Sequence, residues 1–99
     1  METNIIDTIK NTIYTIPGIA SFANYLIDSY DVVTDDVTKA VEISIFENIY
    51  KVKLHLVLFN GVNIKDVLSE VQSRLKYELE KKYNFKNNFI IDVVVDDLK

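Results

Sequence analysis

Apolar residues recur in two periods along this chain, and the change of period marks its elements. Ile5, Ile6, Ile9, Ile13 and Ile16 lie three or four positions apart, the spacing of one helical face, which predicts a helix over residues 4–15. Asn4 or Thr3 suits the cap, and Pro17-Gly18 ends the helix, because proline cannot continue it and glycine supplies a positive φ. From residue 40 the period becomes two. Val41, Ile43 and Ile45 alternate with Glu42 and Ser44, then Tyr50, Val52, Leu54, Leu56 and Leu58 alternate with Lys51, Lys53 and His55. Two half-buried strands over 40–46 and 50–59, separated by Glu47-Asn48, read as an antiparallel hairpin. Asn60-Gly61 breaks the second strand. Ile64, Val67, Leu68, Val71, Leu75 and Leu79 then restore the helical period from Asn63 to about Tyr83, with Asn84 placed for a left-handed cap. Residues 89–95, FIIDVVV, are a β-branched strand.

The segments between carry weaker signals. Residues 19–27 are short and apolar and read as a helical turn or an irregular piece under the sheet. Residues 28–38, DSYDVVTDDVT, read as an acidic loop with an extended stretch at Val32-Val33, and 25–38 as the variable part of the chain. The element order is therefore α-β-β-α-β. It predicts a small α+β domain over residues 1–99: a three-stranded mixed sheet with two helices on one face and a right-handed crossover into the last strand.

At 99 residues the chain has material for one core. It contains no cysteine, which excludes thiolate metal sites, iron–sulfur clusters and a cysteine nucleophile. Net charge is −4, against binding to nucleic acid through overall charge. The N-terminus lacks a basic and apolar leader, and no apolar run reaches membrane-spanning length, so the expected compartment is cytoplasmic, with membrane association arising only through a partner.

Candidate chemistry is sparse. His55 is the only histidine, and its place on the polar face of a strand predicts a surface residue without a catalytic partner. Asp92, Asp96 and Asp97, and Asp35 and Asp36 with Asp28 and Asp31 nearby, form acidic groups with no calcium-loop spacing, so no metal site is expected. Phosphate-cradling glycine loops and a G-x-S-x-G elbow are absent, and neither cofactor nor catalytic residue is expected. The element order also suits a small KH-like nucleic-acid-binding domain with Lys51, Lys53, Lys65 and Arg74 as its basic patch, but that type needs a GXXG loop which this chain lacks. More informative is the sheet face opposite the helices, where Phe46, Val57, Phe59, Ile90 and Val94 interrupt the polar positions. They are expected to form an interaction surface, covered either by residues 19–33 or by another chain.

The stretch VKLHLVLFNGVNIKDVLSEVQSRLKYELEKKYNF followed by IIDVVVDDL, with the helix ending in Ile16-Pro17-Gly18-Ile19, resembles the alkaline shock protein family, in its YloU-like branch from Gram-positive bacteria and mollicutes. Gly61-Val62-Asn63-Ile64 and Val71-Gln72 are the most specific pieces. Tyr83-Asn84 stands where the family has Thr-Gly, and Asn60 where it has Tyr. The resemblance implies a non-enzymatic protein linked to envelope and stress responses, acting through self-association or as an adaptor to a partner such as a fatty-acid-kinase-type protein.

Overall fold

The computed structural model describes residues 2–25 and 33–99. Its elements are α1 (Glu2–Ile13), β1 (Ile19–Ala23), β2 (Val33–Thr34), a 3-10 turn (Val37–Lys39), β3 (Val41–Phe46), β4 (Ile49–Leu58), α2 (Ile64–Lys82) and β5 (Asn88–Leu98). The fold is α+β, and both predicted helices and all three predicted strands are present. The sheet, however, has five strands rather than three.

The two additional strands come from the segments with the weakest pattern. Residues 19–23 are a strand, not a helical turn or irregular piece, and Val33–Thr34 in the expected acidic loop is another. Residues 26–32, including Val32, Asp28 and Asp31, lie outside the described residues. β4 explains why β1 exists. It pairs with β3 along Ile49–Leu54 and leaves its last residues open on that side, where β1 pairs antiparallel through Ser21 opposite Val57 and Phe22 opposite Leu56. β2 pairs with β1. On its other side β4 pairs with β5 in parallel over its whole length. β4 is thus the axis of the sheet, and β3 and β5 are strands with one side each unpaired among the described residues.

Both helices pack on the sheet face that carries Tyr50, Val52, Leu54, Leu56 and Leu58. Ile5, Ile9 and Ile13 from α1 and Val67, Val71, Leu75 and Leu79 from α2 join those residues in one core. The β-branched composition makes α1 weak in isolation, so this burial holds it. Asn63 caps α2 by accepting from the Asp66 N–H at 3.1 Å. Asn84, at φ 57°, is left-handed as its position predicts, and Phe85 follows it at φ 58°. Gly18 is needed twice over: its φ is +97°, and a Cβ there would lie 2.9 Å from Val67 Cγ2.

The end of α2 is tied to the start of β5 by polar side chains. Glu80 accepts from Lys76 Nζ at 2.7 Å and from the Phe89 N–H at 3.3 Å, and Lys76 Nζ also donates to the Phe89 carbonyl at 2.8 Å. The Lys76 hydrogen bond, aided by the Phe89 N–H and opposed by burial, holds the Glu80 carboxyl below its ordinary range. A carboxyl with a lowered folded pKa stabilises the protein above the unfolded value of about 4.3 and loses that contribution as pH falls through the folded value. Glu80→Gln is therefore expected to lower the urea midpoint at neutral pH, with the difference from wild type closing in acid. A constant difference across that range would show that the carboxylate charge is irrelevant here.

Candidate functional site

The sheet face away from the helices carries the chemistry. Strand registers arrange it in cross-strand rows, because residues directly opposite one another share a face. At the hairpin end the row is Phe46, Ile49 and Asn88. Next come Ser44, Lys51 and Ile90, then Glu42, Lys53 and Asp92. His55 and Val94 follow, and Val57 lies beyond them beside Ser21.

His55 overturns its sequence reading. It is only 7% exposed. Its Nε2 lies 2.8 Å from Glu42 on β3, its Nδ1 2.9 Å from Asp96 on β5, and the Tyr25 ring stacks on it with centroids 4.9 Å apart. Strand alternation correctly places His55 off the helix-packed face, but alternation cannot report that a residue from the end of β1 covers it. The strand registers shift between Leu56/Val57 on β4 and Val95/Asp97 on β5, so Asp96 is a bulged extra residue whose side chain reaches His55. A neutral imidazole has one N–H and can donate to one carboxylate; only the imidazolium donates to both. The arrangement ties three strands together. It offers no free ring nitrogen to a substrate or a metal.

The five apolar residues expected to form an interaction surface do not form one patch. Phe46 is 72% exposed, Ile90 47% and Phe59 49%, whereas Val94 is half-buried and Val57 is 1% exposed. Val57 is buried where the 19–25 segment runs alongside it, so among the described residues the part of 19–33 expected to cover this face meets it at that end. Phe59 lies beyond the far end of β4, about 30 Å along the strand from the hairpin turn at 3.3 Å per residue. Phe46 and Ile90 remain together, one row apart, and Ile49, which the sequence reading passed over, joins them. The hairpin tip is held to the loop after α2 by Asn48 Nδ2 donating to the Lys86 carbonyl at 2.9 Å, while the exposed Phe85 ring lies against Tyr77 of α2, centroids 6.2 Å apart, and not on this face.

The basic residues do not converge. Lys51 and Lys53 lie on the outer face, interleaved with Glu42 and Asp92. Arg74 lies on α2, against the opposite face, where it donates to Thr15 Oγ1 at 2.7 Å. The acidic residues are also dispersed. Asp36 caps the 3-10 turn through Thr38, whose side chain first and backbone N–H second hold its carboxyl below the ordinary range. Among the described residues no group of three His, Cys, Asp or Glu side chains is placed to hold a metal ion. Among the described residues, too, no helix is long and apolar enough to cross a membrane. Compared with known proteins, the chain matches no family model, no curated protein and no solved structure.

Proposed function

We propose that this protein is a non-enzymatic interaction module of the alkaline-shock type, acting by self-association. The observation that carries the reading is the apolar end of the outer face, where Phe46, Ile49 and Ile90 stand exposed in adjacent cross-strand rows. Contiguous exposed apolar surface marks association sites. The one histidine is occupied on both nitrogens, which argues against a general acid or base here. The Gly61-Val62-Asn63-Ile64 and Val71-Gln72 resemblance supports the same reading and adds an adaptor role, to an envelope or fatty-acid-kinase-type partner, as a further use of the surface.

Sedimentation equilibrium over a wide concentration range tests it. The wild type is expected to associate, and Phe46→Asp to remain monomeric with unchanged circular dichroism. A wild type that stays monomeric throughout removes self-association. Association that is undiminished in Phe46→Asp moves the surface elsewhere.

A further inference from the structure

The hydrogen-bond ladders identify which backbone groups of β3 and β5 are unpaired. The Asn88 N–H donates to the Asn48 carbonyl at 3.0 Å, so in this parallel pair the even residues of β5 up to Val94 point inward to β4. The N–H and C=O groups of Ile91, Val93 and Val95 point outward. Three side chains of α2 cover the start of this edge: Glu80 at the Phe89 N–H, Lys76 at the Phe89 carbonyl and Gln72 at the Ile91 carbonyl. From Val93 to Val95 nothing covers it among the described residues. On the other side of the sheet the His55 N–H donates to the Ala40 carbonyl at 2.8 Å, so Glu42 and Ser44 point inward and Val41, Ile43 and Ile45 point outward. Unpaired strand edges are templates for another strand.

We infer that the β3 edge of one molecule pairs antiparallel with the β5 edge of a second copy, with Ile43 opposite Val93. This rests on the self-association reading and names its partner and register. Three features select it. First, both sets of outward groups belong to residues whose side chains lie on the helix-packed face, so joining them continues the sheet with its faces in register. Second, Phe46 then meets Ile90, Ile45 meets Ile91 and Ser44 meets Asp92. Sliding the register by two residues in either direction sets Glu42 against Asp92 or Asp96, and like charges directly opposite are destabilising. Third, charges at the two ends favour the antiparallel direction. Exposed Lys39, before β3, falls toward the Asp96-Asp97 end of β5, and exposed Glu47, after it, falls toward Lys76. The parallel direction reverses both pairings. Pairing either edge with its own kind is poorer: β5 against β5, centred on Val93, sets Ile90 against Asp96, and β3 against β3, centred on Ile43, leaves Phe46 opposite Ala40. The β3–β5 contact joins two different surfaces and leaves a free edge at each end, so it propagates into an open chain of molecules.

The absence of native cysteine makes the register directly testable. Ser44 and Asp92 would be a non-hydrogen-bonded pair with Cα atoms about 4.5 Å apart, within disulfide reach. Ser44→Cys and Asp92→Cys proteins, mixed and oxidised, are expected to give the heterotypic disulfide dimer in excess of either homotypic one. Val93→Pro removes an outward N–H that no partner uses among the described residues, and is expected to weaken association roughly tenfold or more while the circular dichroism stays that of wild type. Homotypic Ser44→Cys or Asp92→Cys dimers in excess would assign β3–β3 or β5–β5 pairing and overturn the inference. A wild type that associates, with no heterotypic disulfide and no effect of Val93→Pro, would overturn the register while leaving self-association in place. A wild type that is monomeric throughout would remove both.

Discussion

Phe89→Ala is expected to cost about 3–5 kcal/mol of stability, the range for deleting a fully buried aromatic ring. Phe89 is completely buried, with its ring centroid 5.0 Å from Tyr50 and 5.7 Å from Tyr83. Its backbone is where Glu80 and Lys76 of α2 hold the start of β5. Truncation therefore leaves a cavity between elements that polar contacts keep from closing over it. Against a total of about 5–15 kcal/mol for a domain of this kind, such a loss leaves little margin. Urea unfolding read by circular dichroism measures it. A loss of less than about 1.5 kcal/mol would mean that the three-ring cluster collapses freely around the gap.

His55→Leu is expected to destabilise the fold by about 2–3 kcal/mol, although it replaces a buried polar ring by an apolar side chain of similar bulk. The ring lies between Glu42 and Asp96, one carboxylate at each nitrogen, which come from strands on opposite sides of β4. Without it the two carboxylates face an apolar residue. Their side chains are 40% and 26% exposed, so water moderates the penalty below that of a fully buried ion pair. The diagnostic is the partial recovery expected in His55→Leu with Glu42→Gln and Asp96→Asn, which removes both charges. If the triple variant is no more stable than His55→Leu, repulsion between orphaned carboxylates is not the cause. Lost packing against Tyr25 would then account for the effect.

These two residues differ in how far their roles can be read without a structure. Phe89 is legible, because it opens a β-branched run and its apolar face repeats through Ile91, Val93 and Val95. His55 is not. The bulge that aims Asp96 at it and the segment that places Tyr25 over it depend on contacts between residues more than a dozen positions apart. The interaction surface divides in the same way. Phe46 and Ile90 are exposed where alternation placed them. Val57 has the same parity and is buried, at the end of β4 where a strand with hardly any pattern of its own runs beside it.

The sequence by itself determined the α+β class, two helices, the 41–58 hairpin, the final strand and most of the core. Those features arise from periods of 3.6 and 2 sustained over many residues, and burial of one face enforces such periods locally. Tertiary structure alone decided the other two strands, the threefold pairing of β4 and the carboxylate–histidine–carboxylate bridge. β1 and β2 are too short to carry a period. β1 is a strand because the last residues of β4 presented open N–H and C=O groups that had to be paired, and β2 pairs in turn with the other side of β1. The same requirement, unmet among the described residues along the outer side of β3 and from Val93 to Val95 on β5, is what a second copy of the chain would satisfy.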